Sequence, residues 1–388
     1  MSVHICIVSD QILANYLPVK IKDAKKVLLM SSAAMIRKKK TACFEKLLST
    51  NNIEYTTYSD VPDQRIDEII NYLEDIYENI CLQNNKDNLV LNITGGTKIM
   101  TLAFWDFFKN KNIPVIYIDT YNDTIHYLHN NEVEKVYSTL NIQDYLIAQG
   151  VDIEEISSDS EDWCTKVAGR KNVSSYLAEN SYQLESFFND INTFTENVLS
   201  KDKIIKNPLK KLTKAPNEIE KRIFSDLHDL GLIEWNNDKD IMFKDIMFKD
   251  PNVVDYLKGF WLEEYVYLAA LEANPDHVAC GVKISRNSQA NNELDVIVVH
   301  NNRMLVIECK ALKFKIKQVN EIVYKAAEVG NNLKGLFGKI YLVSARDASN
   351  QEDKNIILER AKAHNVNLIL PNDLNDMTNI ISQWMKSK

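Results

Sequence analysis

The first 120 residues alternate between short apolar runs and segments with helical periodicity, and this order limits the folds that the chain can adopt. The apolar runs, which are typical of buried strands, lie at 3–8, 27–30, 53–58, 89–93 and 115–118. Helical patterns between them cover 34–50, 63–82 and 97–110. Strands that alternate with helices predict a parallel, doubly wound α/β sheet. A turn and a hairpin partner follow the fifth strand, so we expect this domain to end near residue 145.

The middle of the chain has a different character. Residues 150–165 are acidic, contain the run SSDSED, and are expected to form a linker or an exposed segment. We expect the rest of 146–250 to be mostly helical and winged-helix-like, with a helix in 217–235 that ends at Gly231 and leads into a strand. The sequence DIMFK occurs twice, at 240–244 and 245–249. The repeat is either a short β-ribbon or a local duplication without function, and we favour the duplication.

Residues 251–388 are expected to form a third unit. Its first helix, at 257–273, has apolar side chains at helical spacing. A strand near 278–284, a β-hairpin, a helix at 318–330 and a strand at 339–345 follow, and the chain closes with a helix, a strand and a helix. This order predicts a mixed sheet with flanking helices.

Composition narrows the class of protein. The net charge of −8 argues against a broad positive surface that coats long duplexes, although it allows a small basic site. No apolar run approaches the length of a membrane span, and the first residues lack the features of a signal peptide. The six cysteines are scattered without a CxxC pair, which argues against a zinc site or a disulfide framework. We therefore expect a protein of the reducing cytoplasm.

Three strand ends are candidates for a ligand site. The chain contains only 10 glycines, and its one adjacent pair, Gly95-Gly96, follows the fourth strand and precedes a helix. Helix N-termini at the carboxyl edge of a parallel sheet favour anions. The alternative is an ordinary tight turn with Thr97 as the helix cap. The first and second strands end in small polar groups at the same edge. The candidate ligand-binding residues are Ser9, Asp10, Gln11, Ser31, Ser32, Thr94, Gly95, Gly96, Thr97 and Lys98.

The hairpin in ELDVIVVHNNRMLVIECKA, residues 293–311, carries acids at a buried end. A two-residue turn at Asn301-Asn302 predicts a register in which Asp295 faces Glu308 and Glu293 faces Lys310. Facing Cβ atoms lie about 4.5–5.5 Å apart, so all four side chains should share one face. Opposed carboxylates need compensation, either by a raised pKa or by a divalent cation. The alternative is a salt-bridged sheet end in which Lys310 pairs with both acids.

The order of Asp295 and the triplet Glu308-Cys309-Lys310 resembles the PD-(D/E)xK restriction-endonuclease-like superfamily. The resemblance implies that Asp295 and Glu308 hold Mg²⁺ or Mn²⁺, with help from the carbonyl of Cys309, and that Lys310 stabilises charge. An acid on the preceding helix often completes the site, and here it is Glu263 or Glu264, with Glu263 preferred. The family's proline is replaced by Leu294.

Polar residues beyond the triplet are additional candidates. Lys313, Lys315 and Lys317 alternate and would contact a phosphate backbone or, equally, protect a solvated strand edge. Gln318 is either a residue that orients water or a cap, and Tyr324 and Lys325 on the following helix are weaker candidates.

The loops of the first domain resemble the CARF domain, the Rossmann-like ligand-sensing module of type III CRISPR effectors. The residues that carry the resemblance are Thr94-Gly95-Gly96-Thr97-Lys98, supported by Ser9-Asp10-Gln11 and Ser31-Ser32. CARF joined to PD-(D/E)xK is similar to the CRISPR ancillary nucleases that cyclic oligoadenylate activates. The resemblance implies a homodimer that binds cyclic tetra-adenylate across its two-fold axis, a helical middle that transmits the change, and cleavage of single-stranded RNA or DNA, or nicking of duplex.

Two other functions stay open at this point. One is a CARF-type regulator without nuclease activity that binds DNA through a winged helix in its middle segment. The other is a restriction or repair nuclease that needs no activator. The basic run RKKK at 37–40 is either an approach to a polyphosphate ring or, as we favour, a solvated helix face.

Overall fold

The structure is a computed structural model. It describes residues 2–137, 139–195, 198–199, 204–212, 215–235, 245–286, 289–311, 338–348 and 350–387. Within these ranges no helix is both long enough and apolar enough to cross a membrane. The six cysteines, all of which are described, are free thiols.

The N-terminal part is built on a seven-stranded sheet. Its strands are β1 Val3–Ile7, β2 Lys26–Met30, β3 Glu54–Tyr58, β4 Leu89–Asn92, β5 Val115–Asp119, β6 Thr124–Tyr127 and β7 Glu132–Lys135. The order is β3-β2-β1-β4-β5-β6-β7, in which the first five strands run parallel and the last two antiparallel. This confirms the doubly wound fold. The strand order reverses between β1 and β4, which makes their carboxyl ends the switch point where such folds bind ligands.

Helices cover both faces of this sheet. They are α1 Ile12–Ile21, α2 Ala33–Arg37, α3 Lys40–Thr50, α4 Ile66–Asn84, α5 Lys98–Asn110 and α6 Ile142–Ala148. The single helix expected over 34–50 is wrong, because Lys39 adopts φ +59 and separates α2 from α3. The basic run 37–40 therefore lies at a helix break and not along one helical face.

The middle segment contains helices and a small sheet. Its elements are β8 Asp152–Ile156, α7 Glu161–Glu179, α8 Glu185–Thr195, β9 Leu209–Lys211, α9 Glu218–Asp229, β10 Ile233–Trp235 and β11 Asp245–Phe248. The predicted helix, its end at Gly231 with φ +69, and the strand that follows are confirmed. The second DIMFK copy forms β11 in the antiparallel sheet β10-β11-β9. The first copy, at 240–244, lies outside the described residues.

The C-terminal part is the predicted mixed sheet with flanking helices. Its elements are α10 Pro251–Asp255, α11 Trp261–Glu272, β12 His277–Arg286, β13 Gln289–His300, β14 Arg303–Lys310, β15 Lys339–Ser344, α12 Gln351–Ala363, β16 Val366–Ile369 and α13 Met377–Lys386. The strand order is β16-β15-β14-β13-β12-β8. The expected domain limits near residues 145 and 250 stay predictions.

The expected linker at 150–165 is wrong in its first half. Residues 152–156 form β8, which pairs antiparallel with β12 at the edge of the C-terminal sheet. Ile153 and Ile156 pack against a buried cluster, while Glu155 bonds to Lys283 at 2.7 Å on the exposed side. The acidic composition did not indicate a strand because only one face of this strand is buried and the other carries the acidic side chains.

The N-terminal and C-terminal parts share a hydrophobic core. One buried cluster joins side chains of the first sheet and its helices, such as Phe44 and Leu146, to Leu294, Ile297 and Met304 of the β13–β14 hairpin. The hairpin is therefore packed directly against the N-terminal part, and this packing positions the candidate sites described below.

Candidate active site and ligand-binding edge

The β13–β14 hairpin has the predicted register. Its pairs run from His300 opposite Arg303 to Val296 opposite Ile307. Asn301 and Asn302 form the turn with φ +48 and +54, a conformation that asparagine tolerates well.

The ladder between the two strands ends just before the acids. Instead of pairing with Glu308, Asp295 accepts a hydrogen bond at its carboxylate from the backbone N–H of Cys309, at 2.7 Å. Beyond this point β13 continues only with β12, where Glu293 lies opposite Lys283. The expected pairing of Glu293 with Lys310 is therefore wrong, because the strands diverge where the aspartate side chain replaces a backbone acceptor.

The acids nevertheless converge on Lys310. Its Nζ lies 2.6 Å from Oε1 of Glu308 and 3.7 Å from Oδ2 of Asp295. The same ammonium donates to the carbonyl oxygen of Cys309 at 3.1 Å. Asp295 and Glu308 are each only 8% exposed. Three oxygen donors from three residues thus surround one positive charge in a buried site.

Burial and the repulsion between neighbouring carboxylates raise the pKa values of two acids in this site. Burial, reinforced by the charge of Glu308, raises the pKa of Asp295 to about 7, although Lys310 opposes the shift. Burial, followed by the charges of Asp295 and Glu293, raises the pKa of Glu263 to about 9. Burial alone would lower the pKa of Lys310, but the neighbouring carboxylates outweigh it and raise that pKa. The site therefore holds more carboxyl groups than its one lysine can keep ionised at neutral pH.

The two glutamates at the start of α11 have different surroundings. Glu264 is buried and forms a bidentate ion pair with Arg170 of α7, with distances of 2.5 and 3.1 Å. Glu263 is half-buried and interacts electrostatically with Asp295, Glu308 and Lys310. Of the two candidates for the helix acid, only Glu263 faces the hairpin acids, while Glu264 serves to hold α11 against α7.

The chemistry of these donors fits a hard divalent cation. Carboxylate and carbonyl oxygens are the ligands that Mg²⁺ prefers, and the ammonium of Lys310 occupies the point on which three of them converge. Burial raises the pKa of the Cys309 thiol, so its contribution would come from the carbonyl. Among the described residues no three His, Cys, Asp or Glu side chains already stand at the spacing of a complete metal site.

At the switch point of the N-terminal sheet, the glycine pair is required by close packing. A Cβ at Gly95 would lie 2.2 Å from the carbonyl oxygen of Ile7 and 2.3 Å from Nδ2 of Asn15. Gly96 has φ +84, and a Cβ there would lie 2.5 Å from the Ile7 side chain. The β4–α5 loop therefore contacts the end of β1 so closely that only glycine fits.

Two asparagines that the sequence analysis missed hold the loops together. Asn15 donates to the carbonyl of Ile7 at 2.8 Å and lies 3.5 Å from Oγ of Ser9. Asn92 donates to the carbonyl of Asn15 at 3.0 Å and accepts from both the backbone and the hydroxyl of Thr94. Asn92 directly precedes the ITGGTK motif, and a buried polar residue at the end of a strand was the available signal.

The predicted ligand-binding residues differ in accessibility. Asp10, Gln11, Thr97 and Lys98 are exposed, and the hydroxyl of Thr97 caps α5 by accepting from the backbone of Met100. Ser31 and Ser32 are buried, and the Ser31 hydroxyl shares a hydrogen bond with Thr41. The second ligand loop (31–32, after β2) therefore supports the edge of the sheet. The first ligand loop (9–11, after β1) and the third (94–98, after β4) present polar groups to solvent.

The basic run near this edge has one fixed contact. Lys38 forms an ion pair with Asp10 at 2.7 Å, and both side chains are more than half exposed. This contact places the run beside the first ligand loop. The candidates Lys313, Lys315, Lys317, Gln318, Tyr324 and Lys325 lie outside the described residues.

The chain thus combines a doubly wound sheet, with polar loops at its switch point, and a mixed sheet that carries a buried cluster of acids. Residues 3–145 match the Card1 CARF domain family, and residues 250–388 match the Card1-like endonuclease domain family. The chain thus carries a Card1-type CARF domain and a Card1-like endonuclease domain. This confirms the predicted resemblance to the CARF-domain CRISPR ancillary nucleases.

Solved structures share the architecture. Protein VC1899 from Vibrio cholerae is 18% identical with a TM-score of 0.82, over 99% of this chain and 98% of its own. Can2 from Sulfobacillus thermosulfidooxidans, solved with cyclic tetra-adenylate, is 24% identical with a TM-score of 0.73, over 100% and 98%. A type III CRISPR defence DNA nuclease activated by cyclic oligoadenylate is 15% identical with a TM-score of 0.54, over 90% and 47%. Comparison with curated protein sequences gave no match.

Proposed function

We propose that the protein is a metal-dependent nuclease of type III CRISPR defence that cyclic tetra-adenylate activates. The observation that carries the nuclease half is the convergence of Asp295, Glu308 and the Cys309 carbonyl on one ammonium. The match to a Card1-like endonuclease domain supports it. The activator is supported by the CARF match and by Can2, which has the same fold and was solved with that ring.

In the nuclease site, Asp295 and Glu308 would hold Mn²⁺ or Mg²⁺ together with the Cys309 carbonyl, and Glu263 would complete the site. When bound, the cation supplies Lewis acidity toward a phosphodiester and lowers the pKa of bound water. Lys310 then stabilises negative charge on the reacting phosphate. To do so, its ammonium must leave the carboxylates that it now neutralises, and a bound cation would replace it there.

The raised pKa values have a direct role in this proposal. Glu263 and Asp295 hold protons that a cation would displace, because a divalent charge stabilises both carboxylates in ionised form. Cation binding at this site should therefore release protons and tighten as the pH rises.

In the CARF domain, the exposed ends of the first and third loops would contact a cyclic tetra-adenylate. The residues proposed to form or support this site are Ser9, Asp10, Gln11, Ser31, Ser32, Thr94, Gly95, Gly96, Thr97 and Lys98. The N-terminus of α5 offers unpaired N–H groups to phosphate. A four-fold repeated ring suits a homodimer, since each subunit can contact half of it. The substrate is proposed to be single-stranded RNA or DNA, or nicked duplex.

The test is a cleavage assay on labelled single-stranded RNA, single-stranded DNA and supercoiled plasmid. Wild type is compared with Glu308→Ala, with Mn²⁺ or chelator and with or without cyclic tetra-adenylate. Glu155→Ala is the matched control, because Glu155 lies on the edge strand of the same sheet in a solvent-exposed ion pair. We expect cleavage to require cation and ring, and to disappear only in Glu308→Ala, which keeps ring binding.

Contrary results separate the two halves of the proposal. Undiminished cleavage by Glu308→Ala would remove the catalytic assignment. Cleavage that is equal with and without the ring would remove the activation. A protein that binds the ring and duplex DNA but cuts nothing with any cation would instead be the ligand-responsive regulator.

A further inference from the structure

The turn of the catalytic hairpin is anchored in the CARF domain by a single side chain. Oδ1 of Asn302 accepts hydrogen bonds from the backbone of Thr139 and Leu140, at 2.9 and 3.0 Å. Its Nδ2 donates to the carbonyl of Tyr137 at 2.9 Å, and its own carbonyl accepts from the Tyr145 hydroxyl. One residue thus makes four hydrogen bonds to a segment more than 150 positions earlier in the chain.

The same turn lies beside the ligand-binding edge. Asn302 and Arg303 line a cavity together with Gln11 of the first ligand loop and Ile118 of β5. The backbone N–H of Ile118 donates to the hydroxyl of Thr94, in the third ligand loop, at 3.0 Å. The first ligand loop therefore shares a cavity with the hairpin turn. The third ligand loop is connected to the same cavity through the hydrogen bond between Thr94 and Ile118.

At its other end the hairpin carries the nuclease acids. The ladder is continuous from His300–Arg303 to Val296–Ile307, and Asp295 and Glu308 follow immediately. At about 3.4 Å per residue, the turn and the acids are roughly 20 Å apart along a paired two-stranded unit. Arg303 also donates to the carbonyls of Met385 and Ser387, which fixes the base of the turn to the end of α13.

We propose that Asn302 is a positioning residue that couples ring binding to the nuclease acids. Leu140 and Tyr145 line the same cavity as Gln11, so movement of the first ligand loop shifts the 139–145 segment. The Asn302 side chain transfers that shift to the turn, and the paired strands carry it to Asp295 and Glu308. This deepens the proposed function and rests on it. The direct contact also makes the hairpin, and not the helical middle segment, the shortest route between the two sites.

The two asparagines of the turn provide a matched experiment. Both have positive φ, so glycine preserves the backbone at either position. Asn302→Gly removes the three side-chain hydrogen bonds to the CARF domain. Asn301→Gly removes only a side-chain contact with the adjacent His300, at 3.2 Å. Asn302→Asp retains the oxygen that binds two N–H groups and serves as the conservative rescue.

Each variant is assayed for ring affinity, melting temperature, and cleavage with Mn²⁺ in the presence and absence of cyclic tetra-adenylate. We expect Asn302→Gly to bind the ring with wild-type affinity and to keep its melting temperature, but to lose about 10-fold or more of its ring-dependent cleavage rate. Asn301→Gly should match wild type, and Asn302→Asp should recover most of the activation.

Three outcomes would overturn the coupling role. Activation of Asn302→Gly equal to that of Asn301→Gly shows that the contact transmits nothing. Loss of ring-dependent cleavage together with weakened ring binding and a lowered melting temperature shows a purely structural contact. A wild-type protein that cuts but ignores the ring fails the proposed activation itself, and the coupling role fails with it.

Discussion

Adjacent glutamates on α11 should respond in opposite ways to the same substitution. Glu264 is 3% exposed and forms two hydrogen bonds to Arg170, whose guanidinium also lies 4.8 Å from the centre of the Tyr256 ring. Removing one partner of a buried ion pair leaves the other charge uncompensated, at a cost of about 3–5 kcal/mol. For a folding unit of 150–250 residues, this corresponds to a fall in melting temperature of roughly 6–20 °C. Glu264→Gln should show that loss.

Glu263→Gln should leave the fold intact and slow the cleavage reaction. Because the pKa of Glu263 is raised to about 9, this side chain is protonated at neutral pH in the cation-free protein, and glutamine replaces a neutral group of the same shape. Its melting temperature in chelator should equal or exceed that of wild type. If Glu263 helps to hold the cation, cleavage at limiting Mn²⁺ should fall about 10–100-fold and recover partly at high Mn²⁺.

The assay combines thermal unfolding in chelator with cleavage measured across a Mn²⁺ titration. Folded Glu264→Gln protein, assayed at low temperature, should cut at a rate close to wild type with an unchanged Mn²⁺ requirement. The reasoning would be refuted if the two variants exchanged phenotypes. It would also be refuted if Glu263→Gln lowered the melting temperature as much as Glu264→Gln did.

Three further predictions follow from the site and the loops. Lys310→Met should reduce cleavage by about 100-fold or more while ring binding is unchanged, and retention of activity would remove its charge-stabilising role. Gly95→Ala should abolish ring binding in a calorimetric titration because its Cβ would collide with Ile7, whereas Gly169→Ala, which has open space, should bind normally. In chelator, stability should fall as the pH rises from about 4 to about 9. The raised pKa values of Asp295 and Glu263 mean that the folded state binds more protons across this window, so their stabilisation is complete below it and is lost above it. Thermal melts should show a shallower slope for Glu263→Gln, and an equal slope would contradict the assignment.

Much of the fold was predictable because, in the N-terminal and C-terminal parts, the apolar runs of the sequence are the segments that the structure buries as strands. The apolar runs became β1 to β5, and the Asn-Asn turn fixed the hairpin register from His300 to Val296. The predicted strand pairing failed at the point where a side-chain oxygen replaces a backbone carbonyl as hydrogen-bond acceptor. Asp295 accepts from the N–H of Cys309, so the ladder ends at Val296–Ile307, three pairs before the predicted Glu293–Lys310 pair. Glu293 pairs instead with Lys283 of β12. A count of residues from the turn cannot detect such an exchange, since it changes the partner and not the sequence spacing.

Contacts between distant segments were also beyond sequence reasoning. The pairing of Arg170 with Glu264 decides which glutamate is available to the site, yet nothing near either residue indicates the other. The strand at 152–156 was interpreted as a linker because its exposed face is acidic. Its pairing with β12, a strand more than 120 positions later, cannot be predicted from its own sequence. By contrast, the acids of the site were recognisable because their spacing follows from one hairpin.

The hairpin offers a direct connection between the two candidate sites, as the proposed coupling requires. A two-stranded unit packed on both sides is stiff along its length, so a displacement at the turn reaches the far end without being absorbed by side-chain rearrangement. At the far end Lys310 contacts both Glu308 and Asp295, while burial and the neighbouring carboxylates favour the protonated forms of Asp295 and Glu263. In the proposed coupling, a shift of β13 relative to β14 would change the distances from the Asp295 and Glu308 oxygens to Lys310, which are now 3.7 and 2.6 Å, and so would favour either the ammonium or a divalent cation at this point.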